Sequence, residues 1–202
     1  MEQERMEALA QAVLGKIFVP LEASGRHVHV TKAQAQILFG HELTPERPLS
    51  QPGQYLAKER LTVVGPKGEF ANVAVLGPAR KNAQVEISLT DARVLGLKPP
   101  IRQSGDTGRS PGCTLIGGHG TIVLDEGVIA AQRHIHLTPQ AAAHFEVKDK
   151  QVVKLQAFTC RPTVFEDVLV RVSADYAPAV HLDYDEANAC GFQNGDWGRI
   201  IP

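Results

Sequence analysis

The chain has 202 residues, 21 Lys plus Arg against 22 Asp plus Glu, and a formal net charge of -1. At 43% hydrophobic and 21% charged it has enough apolar side chains to bury a core, which excludes wholesale disorder. The charge balance argues against a dedicated nucleic-acid binder, which carries a basic excess, and no apolar run approaches the ~20 residues of a membrane-spanning helix.

Met1 to Lys16 sets Met6, Leu9, Val13 and Leu14 among charges at helical spacing, so residues 1–16 are expected to form an N-terminal amphipathic helix. Acidic residues and the lack of an apolar stretch distinguish it from a secretory signal, so the expected location is cytoplasmic. Ile17 to Ser24 reads as a strand that runs on into Arg26-His27-Val28-His29-Val30, where apolar and polar residues alternate. Thr31 is placed to cap a helix from Lys32 to Phe39, with Gly40 ending it. His41 to Gln54 is punctuated by Pro and Gly and reads as loop. Strands follow at Arg60–Val64 and Phe70–Leu76 around a Gly65-Pro66-Lys67-Gly68 turn, then at Gln84–Leu89, with a helical turn at Asp91–Leu95. Cys113–Ile116 and Thr121–Leu124 flank a second turn, Gly117-Gly118-His119-Gly120. Ile129–Leu137 resembles the first His-bearing strand, and Thr138-Pro139 opens another short helix. Strands at Gln151–Gln156, Val164–Val172 and Gly198–Ile201, with a helix at Asp183–Ala189, complete the chain.

The sequence repeats itself. Arg26-His27-Val28-His29-Val30-Thr31 recurs as Arg133-His134-Ile135-His136-Leu137-Thr138, about half a chain length later. The two Gly-bounded turns echo one another as well. Two copies of a unit of short strands and a helix predict two small β-barrels related by an internal duplication, mainly β with short capping helices. No G-x-G-x-x-G opens a helix and no P-loop is present.

Side chains two apart on a strand share a face, so His27 projects with His29 and His134 with His136. Imidazole is a common ligand for zinc, and two such pairs inside a repeat point to metal; the plainer alternative is a pair of hydrogen-bonded surface strands descended from a duplication. Glu86 stands between Val85 and Ile87, turned away from the core these build, as a bridging carboxylate or a solvated one. His181, between Val180 and Leu182, is a further candidate ligand. Arg80 and Lys81 follow the Gly77-Pro78 turn, and Lys67 occupies a hairpin tip; they suit an anion, or are ordinary turn cations. Cys113, Cys160 and Cys190 form no C-x-x-C, which fits a reducing compartment and buried, inert thiols.

Taken together, Ser24-Gly25-Arg26-His27-Val28-His29, Gly77-Pro78-x-Arg80, Gln84-Val85-Glu86-Ile87-Ser88, Ser104-Gly105-Asp106, Arg133-His134-Ile135-His136 and His181-Leu182-Asp183-x-Asp185-Glu186-Ala187-Asn188 resemble the PduL-type phosphotransacylases. This is the phosphate propanoyltransferase family associated with bacterial microcompartments. The resemblance runs from about Val19 to the C-terminus. It implies interconversion of a short-chain acyl-CoA plus phosphate with acyl phosphate plus CoA, two zinc ions per chain, and a role in propanediol degradation. Carried over, His27, His29 and Glu86 hold one zinc and His134, His136 and His181 the other. Arg80 binds phosphate and is the catalytic residue, while Ala23, Ser24, Gly25, Lys67 and Asn188 contact CoA. The implied domains are residues 17–25 with 134–202, and residues 26–133, with the active site between them. The expected partners are CoA or acyl-CoA and phosphate, with a microcompartment shell or a second copy of the chain, and neither nucleic acid nor membrane. A microcompartment lumen would be the place of work if residues 1–16 are an encapsulation helix; the same stripe packed on its own barrel is the alternative. Gly118, where a Pro would match Pro66, leaves the shape of the second hairpin tip open. A two-metal hydrolase and a zinc-stabilised shell component are the competing functions.

Overall fold

The structure is a computed structural model that describes residues 2–202. It opens with helix α1 (Glu2–Leu14), strands β1 (Val19–Ser24) and β2 (His27–His29), and helix α2 (Lys32–Phe39). Strands β3 (Pro45–Pro48), β4 (Tyr55–Val64), β5 (Glu69–Gly77) and β6 (Gln84–Glu86) lead to helix α3 (Leu89–Leu95). Then come β7 (Ile101–Arg102), β8 (Cys113–Ile116), β9 (Thr121–Leu124), β10 (Val128–Ala131), β11 (His134–Leu137) and helix α4 (Pro139–His144). Strands β12 (Val152–Phe158), β13 (Thr163–Val172) and β14 (Ala179–Asp183), helix α5 (Tyr184–Cys190) and strand β15 (Trp197–Ile201) close the chain.

These elements form two compact units, residues 1–24 with 133–202, and residues 25–132. The first, the terminal unit, is a closed barrel in the order β1-β14-β11-β13-β12-β15. Its core is built from Val19, Leu21, Ile135, Leu137, Leu155, Val168, Val180 and Leu182, supplied by alternate positions of these strands. The second, the central unit, is a nine-stranded sheet running β7-β10-β6-β2-β5-β4-β8-β9, with β3 paired to β4. Val28, Leu61, Val63, Val73, Val75, Val85, Leu95 and Leu115 fill its core. The fold is therefore mainly β with short capping helices, as the strand periodicity and Gly/Pro turns predict.

The caps act as the sequence suggests. Thr31, Ser88, Thr138 and Asp183 each accept a hydrogen bond from the amide three residues on, and Gly40, Gly96 and Gly191 end their helices in the left-handed conformation. The two hairpin tips close alike: the Gly65 amide donates to the Gly68 carbonyl and the Gly117 amide to the Gly120 carbonyl, both at 2.9 Å. Gly118 thus changes nothing in the closure. Each tip also satisfies a helix end, since the Lys67 amide donates to the Leu95 carbonyl at 3.0 Å and the His119 amide to the Leu38 carbonyl at 2.9 Å. That approach is why the positions are glycine: a Cβ on Gly65 would stand 2.3 Å from the Leu95 carbonyl oxygen, and one on Gly117 2.2 Å from that of Leu38.

Several expectations are revised. Residues 45–48, read as loop, form a strand on β4 despite two prolines, because an edge strand donates only from one side. Ile129–Leu137 is two strands, interrupted at Gln132-Arg133, where the chain passes from one unit to the other. His181 lies at the centre of β14, a strand the sequence analysis does not delimit. Cys160 is exposed, not buried, and its thiol donates to the Gly191 carbonyl at 3.2 Å. Cys113 and Cys190 are buried, and burial pushes the Cys113 thiol up to about 12. On α1, Met6, Leu9 and Val13 are exposed, so this stripe is not covered by the barrel.

Candidate active site

The central unit assembles the first donor group from two antiparallel neighbours. β2 pairs with β6 so that His27 stands opposite Glu86, Val28 opposite Val85 and His29 opposite Gln84. The valines point into the core and the polar residues to the other face, which brings His27, His29 and Glu86 together. One ligand atom from each lies within 4.8 Å of the others, and all three residues are buried. The outer nitrogens are engaged: His27 Nδ1–H donates to the Gly25 carbonyl at 2.8 Å and His29 Nδ1–H to the Leu76 carbonyl at 3.2 Å. That turns Nε2 of each ring toward the site, the arrangement a metal-ligating imidazole needs, and His27 Nε2 faces Glu86 Oε2 at 3.6 Å.

Around Glu86 a polar net closes. Ser104 Oγ donates to Glu86 Oε1 at 2.8 Å, and the Gln84 amide nitrogen donates to both Glu86 Oε1 and Ser104 Oγ. Gln84 is itself fixed by the Gly105 amide, at 2.7 Å from its Oε1. Arg80 joins the same net, its Nη1 donating to Ser104 Oγ at 3.1 Å while its backbone amide is tied to the Val30 carbonyl at 2.8 Å. Gln84 and Ser104 had no role in the sequence reading. The alternation Gln84-Val85-Glu86 could have shown that Gln84 shares the ligand face.

The electrostatics follow from burial and neighbours. Burial opposes charge on both His27 and Glu86, yet their mutual attraction and hydrogen bond raise His27 and hold Glu86 well below the usual carboxylate range. His29 is lowered to about 2 by burial, by His27 and by Arg80. It is neutral over the whole physiological range.

The terminal unit repeats the construction. β11 pairs with β14 antiparallel, with His134 opposite His181, Ile135 opposite Val180 and His136 opposite Ala179. His134, His136 and His181 converge, again with ligand atoms within 4.8 Å of one another. The ring centroids are 4.7 to 5.0 Å apart. His181 Nδ1 faces Glu22 Oε2 at 3.6 Å, since β1 sets Glu22 beside His181. His136 is buried, stacked on Tyr176 at 4.0 Å, and neither of its ring nitrogens has a hydrogen-bond partner. Burial, His134 and Arg171 lower it to about 3. A buried imidazole without a partner on either nitrogen is costly unless something else coordinates it.

Both groups therefore fit a divalent cation that accepts nitrogen. Two imidazoles and a carboxylate, or three imidazoles, are open three-ligand sets with room for a fourth, exchangeable position. Neither is the all-oxygen cage that calcium or magnesium favours.

The remaining predicted residues are spread over both units. Ala23 and Ser24 end β1, beside Leu182 and Asp183 at the start of α5, and Asn188 is exposed on that helix. Gly25 begins the central unit, where Lys67 is exposed at its hairpin tip.

The sequence model of the phosphate propanoyltransferase family matches residues 20–193. The chain belongs to this family. It is 48% identical over 198 residues to the phosphate propanoyltransferase of Listeria monocytogenes, covering 97% of this chain and 93% of that protein. The Thermotoga maritima phosphate propanoyltransferase is 52% identical over 181 residues, 88% of this chain and 86% of the relative. That of Rhodopseudomonas palustris is 38% identical over 221 residues, 99% and 98% of the two chains. The family member described here is accordingly an acyltransferase. The hydrolase reading and the purely structural one lose their ground. No described helix is long and apolar enough to cross a membrane.

Proposed function

We propose that the protein interconverts a short-chain acyl-CoA (propanoyl-CoA or acetyl-CoA) plus phosphate with the acyl phosphate plus CoA, and that it holds two zinc ions per chain. His27, His29 and Glu86 would hold one, and His134, His136 and His181 the other. The observation that carries this reading is Arg80, a cation hydrogen-bonded through Ser104 to the carboxylate of a metal-binding group.

When bound, such ions supply Lewis acidity, which stabilises a thiolate or the oxyanion of a reacting thioester. The chain's own residues do the rest. In the forward direction a phosphate oxygen attacks the thioester carbonyl carbon, the C–O bond forms, the C–S bond breaks, and CoA leaves as thiolate. Phosphate is already ionised at neutral pH, so no serine nucleophile and no strong base is required. Arg80 has the planar fork that holds phosphate bidentately, lowers its charge repulsion with the acyl-CoA and aims one oxygen. Its anchor on Val30, immediately after β2, keeps it in register with His29. Ala23, Ser24, Gly25, Lys67 and Asn188 would contact CoA, with the Lys67 ammonium suited to its phosphates.

The test is direct. With propanoyl-CoA or acetyl-CoA as substrate, CoA release should require phosphate and yield acyl phosphate. Release independent of phosphate would favour hydrolysis, and exchange of labelled CoA into acyl-CoA without phosphate would replace direct transfer by an acyl-enzyme.

The reading extends to a microcompartment lumen as the place of work, within propanediol degradation, and the exposed Met6-Leu9-Val13 stripe supports it. Deleting residues 1–14 should leave the melting temperature and turnover unchanged and abolish recruitment to a shell, followed by fluorescence of a fusion. A lower melting temperature on deletion would show instead that the stripe stabilises its own barrel.

A further inference from the structure

The arginine before each His-x-His does the same thing in both units. Arg26 Nη2 donates to Asp91 Oδ1 at 2.6 Å, and Arg133 Nη1 donates to Glu186 Oε1 at 2.8 Å. Asp91 and Glu186 hold equivalent places. Each is the third residue of a helix whose N-cap, Ser88 or Asp183, comes two residues after the third donor of its group, Glu86 or His181. Each carboxylate divides its oxygens alike. One accepts the N-cap amide in a capping box, and the other accepts the arginine. The guanidinium also lies by an aromatic ring on the strand parallel to the His-x-His strand: Arg26 is 4.1 Å from the Phe70 ring on β5, and Arg133 is 5.9 Å from the Phe165 ring on β13. Arg133 is further committed, its Nε donating to the Glu166 carbonyl at 2.6 Å.

We propose that Arg26 and Arg133 are positioning residues, each fixing the His-x-His strand of its unit to the turn that follows that unit's third metal ligand. The inference rests on the reading of the two groups as metal sites. A three-residue ladder between β2 and β6 leaves the spacing of His27 and His29 from Glu86 weakly determined at its end. The ion pair closes that end, where the chain leaves β6 and turns into α3. The β11–β14 pair is closed in the same way at α5. Carboxylates that are half-buried or buried, 6% exposed at Asp91 and 17% at Glu186, make these contacts stronger than surface pairs.

The test is cobalt(II) titration of chelator-stripped protein in two backgrounds. His134→Ala with His136→Ala leaves only the central group, and His27→Ala with His29→Ala leaves only the terminal one. Arg26→Gln should raise the cobalt Kd of the central group by roughly 10–100-fold, the range for lost outer contacts of a metal ligand, and leave the terminal group unchanged. Arg133→Gln should do the reverse. Lys at either position should recover part of the loss, because an ammonium keeps the charge but not the fork. Asp91→Asn and Glu186→Gln should reproduce the effect without adding to it, and they decide the matter should an arginine variant fail to fold. Unchanged affinity in the variants overturns the proposal, as does a loss of equal size in both groups. Absence of cobalt binding by the unsubstituted protein would overturn the metal reading itself, and this proposal with it.

Discussion

The two donor groups share a strand plan and differ in what surrounds it. In each, the first histidine stands opposite the third donor across an antiparallel pair, and a helix cap follows that donor. Opposite the second histidine, however, the central unit has Gln84 and the terminal unit has Ala179. Gln84 recruits Ser104 and Gly105 and ties Glu86 to Arg80. Ala179 has no polar side chain to recruit a partner, and His136 is held by ring contacts, stacked on Tyr176 and packed edge-on to His134 and His181, with no hydrogen bond to either ring nitrogen. A duplicated backbone thus supports one group whose carboxylate is embedded in hydrogen bonds and one built of imidazoles alone. The first sets a hydrogen-bonded carboxylate close to the Arg80 guanidinium, with Ser104 between them. The second offers only the softer imidazole donors.

The sharpest break of this comparison removes one group at a time. His134→Ala with His136→Ala should cost the protein one of two bound ions by elemental analysis. Losing several kcal/mol of charge stabilisation should lower phosphate-dependent CoA release by roughly three orders of magnitude. Full metal occupancy in that variant would refute the ligand assignment.

Arg80 belongs to the central group only. Arg80→Ala should lower phosphate-dependent turnover by roughly 2–4 kcal/mol in transition-state free energy, with metal content intact and Lys recovering part of the loss. Steady-state kinetics at varied phosphate would show this, and unchanged kinetics would move the phosphate contact elsewhere.

Gln84→Ala makes the central group resemble the terminal one. Metal affinity of the central group should fall roughly 10–100-fold in a chelator competition, with that of the terminal group unaffected. An unaltered central affinity would mean that the net around Glu86 does not distinguish the two.

The last prediction concerns pH and the stability of the metal-free protein. His29, lowered to about 2, and His136, lowered to about 3, stay neutral in the fold where a free imidazole, near 6.5, takes up a proton. Between these limits the unfolded chain binds more protons, so stability rises with pH and is lost as pH falls from about 6.5 toward 3. The slope reaches about 1.4 kcal/mol per pH unit for each such group. Urea unfolding of the metal-free protein between pH 4 and 7 should show it, and His136→Asn should flatten it. An equal slope in that variant would show that His136 protonates freely in the fold.

Much of this was written in the sequence. The repeated Arg-His-x-His-x-Thr marked both donor-bearing strands and both helix caps, because alternation and capping are local properties read over a few residues. The Gly-bounded hairpin tips were legible for the same reason. Less local features were not. Glu86 and His181 were named, but their direct opposition to His27 and His134 is a matter of register between strands far apart in sequence. Nothing local shows that Arg26 and Arg133 reach Asp91 and Glu186. Cys160 was taken for a buried thiol because thiols usually are, while its place beside the left-handed Gly191 keeps it at the surface.

The sequence by itself determined the β-rich class, the duplication, the donor residues and the caps, since each depends on side-chain type at short spacing. Only the tertiary structure decided that one unit closes as a six-stranded barrel while the other spreads into nine strands, because closure depends on which distant edges meet. It alone decided that the two donor groups are unequal. That inequality comes from one residue facing another across an antiparallel pair, Gln84 in one unit and Ala179 in the other, and pairing across strands is fixed by the folded sheet rather than by any neighbouring residues in the chain.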